Sequence, residues 1–349
     1  MKKKVVVGLS GGVDSSVAAL LLKERGFDVY GLHFAFMEEK HPEKIEKLSE
    51  QLKIPIDILD IAGDFKKVKL HFVDEYLKGR TPSPCTFCNR VIKWQKLVDY
   101  ADQNQLDFIS SGHYIRKIEK DGFHFLQKGL DPVKDQSYFL WELSTEIIKK
   151  MINPLGEYTK PEVRELARKY GFEELAEKKE SMGVCFLQNN DYRDFIKNYY
   201  PEKIKQIKQG NIKDDFGNVI GTHQGYIFYT IGQKRGLDLT SKSAAYVKEI
   251  NPQKNELIVG SKKSLNKNNI KLHSSHLINP DNLKDNSSVE ICVRGYGLNP
   301  EEPAVVKRMN SGQIELELSK PAWAVAPGQP VVFYDQDILL GGGIAETSW

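Results

Sequence analysis

The sequence predicts an α/β protein: an N-terminal doubly wound parallel sheet, followed by a small, mainly β central module and a C-terminal β-barrel. Three observations carry this. Short apolar runs alternate with amphipathic helical patterns over the first half of the chain; a glycine- and serine-rich turn joins the first run to the first helix; and beyond about residue 200 the helical period gives way to short runs broken by Gly, Asn and Pro. At 349 residues the chain suits two or three domains, with boundaries expected at 1–198, 199–268 and 269–349.

Val5 to Leu9, Val29 to Phe34, Ile56 to Ile61 and Phe108 to Ser111 read as strands, nearly unbroken in apolar residues as buried parallel strands are. Val17, Leu20 and Leu21, stopped by Gly26, and then Ile45, Leu48 and Leu52 recur at helical spacing. This alternation places ligands beyond the C-terminal ends of the strands. Pro84-Cys85-Thr86-Phe87-Cys88-Asn89 reads as a Pro-punctuated loop running into a helix near Arg90. A further helix starts with Thr159 as N-cap, Pro161 in the first turn and Glu162 closing a capping box, and another follows Asp191. Downstream, Asp215 to Gly221, the aromatic run Tyr226 to Tyr229 and the alternation Ile314 to Leu318 read as short strands. The Asn- and Lys-rich stretch Lys262 to Asn269 reads as the bridge between the central module and the barrel.

Gly8-Leu9-Ser10-Gly11-Gly12-Val13-Asp14-Ser15 joins the first strand to the first helix. Adjacent glycines let backbone N–H groups converge, the amides from Val13 onward point the same way, and Ser10 and Ser15 add hydroxyl donors, so the turn suits phosphate. The competing reading is an ordinary strand-to-helix turn, which needs fewer of these residues. There is no Gly-Lys-Ser/Thr ending, so the lysine of a P-loop NTPase is missing, and no G-x-G-x-x-G dinucleotide fingerprint. A net charge of +3 and a pI near 8.4 leave a polyanionic partner open, because the distribution of charge decides and not its total. No apolar run reaches the length of a membrane span, and the strand after Met1-Lys2-Lys3-Lys4 is too short for a signal-peptide core, so a cytoplasmic protein with no membrane partner is expected. Four cysteines, Cys85, Cys88, Cys185 and Cys292, then argue for catalytic or metal-ligating thiols over a disulfide scaffold.

Ser10 to Ser16 resembles the pyrophosphate loop of the PP-loop ATP pyrophosphatases, an adenine nucleotide alpha hydrolase-like fold whose members cleave ATP between the α and β phosphates. Further motifs extend the likeness over nearly the whole chain: Cys88-Asn89, Ser111-Gly112-His113-Tyr114, Lys134 to Leu140, Tyr158 to Arg164, Gly183 to Phe186, Tyr229 to Leu237, Pro327-Gly328-Gln329 and Leu340 to Gly343. Together they resemble the bacterial tRNA-specific 2-thiouridylases, which thiolate the wobble uridine. That resemblance implies ATP and Mg²⁺ as cofactors, the anticodon region of tRNA as partner, and a sulfur donor that is a persulfide carrier, a cysteine desulfurase or inorganic sulfide. It implies Cys88 as nucleophile and Cys185 as the thiol that carries incoming sulfur as a persulfide, with Asp14 aiding catalysis beside Mg²⁺. Gly8, Leu9, Ser10, Gly11, Gly12, Val13, Asp14 and Ser15 match nucleotide-binding positions, as do Gly112 and Phe34, the latter replacing the usual Met. Ser83, Pro84, Cys85, His113, Lys134, Asp135, Gln136, Arg294, Gly295 and Gln329 match tRNA-contacting positions, with Gly295 where the family has Tyr.

One departure bears on the chemistry. The family carries Asp-x-x-Cys where this chain has Cys85-x-x-Cys88, so a carboxylate able to assist thiol deprotonation is replaced by a second thiol. Cys85, Cys88 and Cys185 offer three ligands to a [4Fe-4S] cluster whose fourth iron stays open for sulfide. A redox-active Cys85/Cys88 pair, a zinc site short of one protein ligand and a neutral replacement are the alternatives. The reaction expected is adenylation of uridine O2, then sulfur attack at C2 and departure of AMP. Two other functions compete: a PP-loop ATPase with a different acceptor, and a catalytically inactive, nucleotide-regulated RNA-binding protein in which Cys185 is dispensable.

Overall fold

The computed structural model describes every residue except 1, 37–41, 179–182, 188–190, 241–244, 296, 298 and 311. The chain divides into two compact units, the first made of Met1–Val68, Cys85–Ser181 and Asp335–Leu340, the second of Lys69–Pro84, Met182–Tyr334 and Gly341–Trp349.

In chain order, β1 (Lys4–Gly8), α1 (Val13–Glu24), β2 (Asp28–Ala35), α2 (Pro42–Leu52), β3 (Ile56–Asp60) and α3 (Ala62–Leu77) lead to α4 (Pro84–Cys88), a π-helical turn Asn89–Lys93, α5 (Trp94–Gln103) and β4 (Phe108–Ser111). The four strands pair in the order β3-β2-β1-β4, all parallel. Val5, Val6 and Val7 of the central strand are fully buried, which is why β1 is an unbroken apolar run with no polar alternation. Gly8 pairs with Leu32 and with Ser111, so β1 and β4 end level while β2 runs on to Ala35, and the 8–15 turn emerges there. Gly31 makes the tight spacing of the sheet possible: a Cβ on it would stand 2.6 Å from Leu9 Cδ1 and 2.8 Å from Ile56 Cγ1.

The hairpin β5 (Ile115–Lys120) and β6 (Phe123–Lys128), α6 (Thr145–Lys150), α7 (Lys160–Lys169) and α8 (Glu173–Glu177) complete the first unit. Val163 and Ala167 of α7 join Val17 and Leu21 of α1 in one buried cluster. The α7 capping box forms as expected: Glu162 Oε2 accepts the Thr159 N–H at 2.7 Å and the Thr159 hydroxyl at 2.8 Å.

The second unit holds α9 (Tyr192–Tyr199), α10 (Pro201–Ile204) and a five-stranded sheet in the order β10-β11-β7-β8-β9. Its strands are β7 (Gly210–Lys213), β8 (Val219–His223), β9 (Asp238–Leu239), β10 (Tyr246–Asn251) and β11 (Glu256–Gly260). Six further strands, β12 (Asn266–Leu277), β13 (Ser288–Cys292), β14 (Ala304–Asn310), β15 (Gln313–Trp323), β16 (Pro330–Asp335) and β17 (Ile338–Ser348), form an antiparallel barrel closed by β12 pairing with β17.

Two local expectations are corrected. Tyr226–Phe228 is a 3-10 turn, not a strand; Ile227, Phe228 and Tyr229 are all buried, so the run reflects packing on every side and no alternating face. Residues 215–218 form a turn, with the Asp214 carboxylate accepting the N–H groups of Phe216 and Asn218 at 2.9 and 2.8 Å. Lys262 to Asn269 folds as a 3-10 turn, Lys262–Leu265, and the start of β12.

Candidate active site

Gly11 has φ +73°, in the left-handed region that side chains rarely adopt, and Gly12 is the extended N-cap of α1. The hydroxyls of the turn close on one another. Ser10 Oγ and Ser15 Oγ lie 3.2 Å apart, the Gly12 N–H reaches Ser10 Oγ at 3.3 Å, and the Ser15 and Ser16 hydroxyls donate to the Gly12 carbonyl at 3.2 and 3.0 Å. The first-turn amides of Val13, Asp14 and Ser15 have no intrahelical acceptor, as at every helix start, so the turn presents several donors at the positive end of α1. The connection after β4 closes one side of it. A Cβ on Gly112 would stand 2.6 Å from the Ser15 nitrogen and 2.8 Å from the Asp14 carbonyl carbon, so only glycine permits this approach. Phe34, near the end of β2, is half-buried beside Leu59 of β3.

Asp14 is not a lone carboxylate. Lys160, the first residue of α7, donates from Nζ to both of its oxygens at 2.7 and 2.8 Å, and the Tyr114 hydroxyl donates to Oδ1 at 2.7 Å. Sequence reasoning missed both partners. The capping box located Lys160 on its helix, and Tyr114 lies in a quoted motif, but nothing local shows which carboxylate they meet.

Cys85 and Cys88 occupy one helical turn, where a loop was expected. Pro84 takes the first helical position, which its fixed φ suits, and the helix runs on through the π turn into α5. Cys88 is 4% exposed and Cys85 half-buried. Asn89 Nδ2 donates to the Phe139 carbonyl at 3.1 Å and ties this turn to the segment after Gln136. Cys185 is exposed, on a 3-10 turn Cys185–Leu187 in the second unit. Its neighbour Phe186 is anchored in an aromatic cluster, with ring centroids 5.2 Å from Phe72 and 4.8 Å from Phe195.

Several of the expected tRNA-contacting side chains hydrogen-bond within the protein. Asp135 accepts the N–H groups of Gly129 and Ser137 at 3.0 and 3.2 Å and the Ser137 hydroxyl at 2.8 Å, and burial pushes its carboxyl above the usual range. Gln136 Oε1 accepts the Tyr114 N–H at 3.1 Å. Lys134 is half-buried between them and Asp131, whose Oδ1 accepts its N–H at 3.2 Å. His113 hydrogen-bonds Ser111 Oγ through Nδ1 at 2.7 Å, and part of the residue reaches solvent; burial of its ring beside Trp94, with the Lys93 charge nearby, pushes its pKa down to about 3. In the second unit, Gln329 Nε2 donates to the carbonyls of Thr81 and Pro82 at 2.8 and 3.0 Å and so holds the strap that leads to Ser83 and Pro84. Arg294 Nη2 donates to the Ala324 carbonyl at 2.7 Å, its guanidinium 5.2 Å from the Trp323 ring centroid, and half-buried Gly295 follows it.

Three family models match consecutive stretches: a tRNA methyl transferase HUP domain over residues 3–189, a tRNA methyl transferase PRC-barrel domain over 193–261 and an aminomethyltransferase beta-barrel domain over 267–345. The tRNA-specific 2-thiouridylase MnmA 2 of Phocaeicola vulgatus is 40% identical over 346 residues, 98% of this chain and 97% of the relative. MnmA 1 of Caldanaerobacter subterraneus subsp. tengcongensis is 40% identical over 364 aligned positions, 99% of this chain and 98% of the relative. The MnmA of Chlorobium phaeobacteroides is 41% identical over 356, 98% of this chain and 97% of the relative. This chain belongs to the tRNA-specific 2-thiouridylase family.

Within that family the Cys85/Cys88 pair raises the question of a metal. Among the described residues no three His, Cys, Asp or Glu side chains form a group able to hold one. Cys85 and Cys88 belong to the first unit and Cys185, fixed through Phe186, to the second. Mg²⁺ asks less of a protein, since it keeps its waters and binds through substrate phosphates with one or two carboxylates. Asp14 offers one carboxylate beside the anion turn, already engaged by Lys160.

Proposed function

We propose that this 2-thiouridylase replaces O2 of the wobble uridine of tRNA with sulfur in the cytoplasm, converting ATP to AMP and pyrophosphate. The observation that carries the reading is about 40% identity over 97–98% of the length of 2-thiouridylases, and the α1 anion turn supplies a site for the ATP step. No described helix is long and apolar enough to cross a membrane.

A uridine C2 oxygen is a poor leaving group, and adenylation makes it a good one. O2 attacks the α-phosphorus, the bond to the β-phosphate breaks, and pyrophosphate leaves against the backbone donors of the 10–15 turn. Bound Mg²⁺ neutralises phosphate charge. Cys185, exposed, carries the sulfur as a persulfide; Cys88 attacks the Cys185 sulfur, forms a disulfide and releases hydrosulfide, which adds to C2 and expels AMP. Sulfur reaches Cys185 as sulfane sulfur from a persulfide carrier or a cysteine desulfurase, the donor thiol leaving as thiolate; inorganic sulfide, already at the level of hydrosulfide, would instead add to C2 directly. Unpaired anticodon-loop bases cost little to extrude, which suits Cys88, a buried nucleophile.

The test is thiolation of tRNA with ATP and a sulfur source, read by mass spectrometry of the anticodon nucleosides and by nucleotide products. AMP and 2-thiouridine in equal amounts are expected, with 2-thiouridine abolished in Cys88→Ala and Cys185→Ala. ADP in place of AMP, or RNA binding with no sulfur incorporated, overturns the reading in favour of another acceptor or an inactive RNA binder.

A further inference from the structure

We propose that the lysine-rimmed aromatic face formed by α9, α10 and the last turns of α3, beside exposed Cys185, is where the sulfur-delivering protein docks. The partner is a cysteine desulfurase that meets this face with an acidic surface around its persulfide. This rests on the reading of Cys185 as the sulfur carrier.

A thiol that takes sulfur from another protein is covered by that protein during transfer, so the surroundings of Cys185 belong to the interface. Those surroundings are aromatic and lie within the second unit. Phe186, next to the thiol, sets its ring centroid 4.8 Å from Phe195, which stacks on Tyr199 at 5.0 Å and 17°. Tyr200 extends the row, its centroid 6.1 Å from Tyr199. All four rings are half-buried, so part of each faces solvent. Lysines border them. Lys69 Nζ lies 5.8 Å from the Tyr199 centroid, Lys203 Nζ 4.8 Å from that of Tyr200, and Lys197 Nζ 5.1 Å from that of Phe228.

From the start of α9 to the residue before β7, positions 192–209 carry five basic and two acidic side chains, an excess equal to the net +3 of the whole chain. The sign of the partner follows from that excess. Carboxylates are set among the lysines, Asp74 at 3.2 Å from Lys203, Glu202 at 2.8 Å from Lys205 and Asp194 at 4.0 Å from Lys197. A face that tracks a phosphate backbone gains from cations alone, whereas an aromatic centre with a rim of mixed sign is the anatomy of a protein interface. These ion pairs are exposed and add little to stability, so the fold does not account for them.

In the docked pair the Cys185 thiolate attacks the terminal sulfur of the donor persulfide. A new S–S bond forms on Cys185, the donor S–S bond breaks, and its electron pair leaves on the donor thiolate. The transferred sulfur keeps its proton, and no oxidant or reductant is consumed.

The test loads the full chain with sulfur from two donors, a cysteine desulfurase supplied with radiolabelled cysteine and the small molecule glutathione persulfide, and reads label on Cys185. Lys197→Glu/Lys203→Glu, checked for cooperative melting, is expected to slow loading by the desulfurase on the order of 10-fold and to flatten its salt dependence. Loading by glutathione persulfide and affinity for tRNA are expected to be unchanged. Lys205→Glu/Lys208→Glu, on exposed side chains, carries the same test if the first pair melts early. Unchanged loading by the desulfurase, an equal fall with both donors, or label from glutathione persulfide alone in the unsubstituted protein overturns the proposal. Weaker tRNA binding with unchanged loading also overturns it and gives the face to RNA. Should the unsubstituted protein take label from neither donor, the carrier reading of Cys185 itself fails, a separate outcome.

Discussion

A methyl group on residue 112 would sit inside the backbone of α1, 2.6 Å from the Ser15 nitrogen. Gly112→Ala is therefore expected to push the 111–114 connection off the anion turn, costing about 1–3 kcal/mol as overpacking does and weakening ATP binding by a similar amount. Calorimetric titration with ATP, beside a melting curve, checks it; unchanged affinity would mean the close approach is dispensable. His113 gives a pH prediction. Its pKa falls from 6.5 to about 3 on folding, so the unfolded chain binds its proton more tightly. Its contribution to stability is complete above about pH 6.5 and is lost as pH falls towards 3. Denaturant unfolding between pH 6.5 and 4 should show a steeper loss for the unsubstituted protein than for His113→Gln; equal slopes would contradict the burial argument. At neutral pH this side chain is an uncharged hydrogen-bonding group and not a cation.

Among the elements, the 3-10 turn Cys185–Leu187 is where local structure and chemistry meet most directly. Phe186 sets its edge against Phe72 at 81° and packs on Phe195 at 46°, so the exposed thiol beside it stands on an anchored backbone. Phe186→Leu keeps most of the volume and loses the aromatic geometry. It is expected to slow sulfur transfer on the order of 10-fold or more while leaving tRNA-dependent ATP–pyrophosphate exchange intact, since misplacing a reacting group by about 1 Å can cost 10²-fold. Equal effects on both assays would show general loosening of the aromatic cluster instead. The π turn Asn89–Lys93 breaks helical register directly after Cys88, and Asn89 donates to the Phe139 carbonyl.

For the molecule as a whole, Cys88 is buried and Cys185 exposed, environments that suit a protected nucleophile and an accessible sulfur carrier. Protein purified without oxygen is expected to thiolate tRNA at full rate without stoichiometric iron, and Cys85→Asp to retain activity. Iron and acid-labile sulfide at cluster stoichiometry, lost together with activity in Cys85→Asp, would reverse this. The parallel sheet, the α1 anion turn and the α7 capping box were legible in the amino-acid order because each is written in neighbouring residues: a strand buried on both faces must be apolar throughout, and a cap must sit three residues from its partner. The run Tyr226 to Tyr229 misled because burial on all sides leaves no period to distinguish turn from strand. Residue order alone thus settled the fold class, through backbone sterics and the periodicity of burial. Folding in three dimensions settled the rest, namely that Asp14 is paired, that Lys160 brings a cation to the turn, and that Asp135, Gln136 and Gln329 brace the protein's own backbone. Those facts depend on which distant side chains come to share one small volume shielded from water, and no local pattern encodes that.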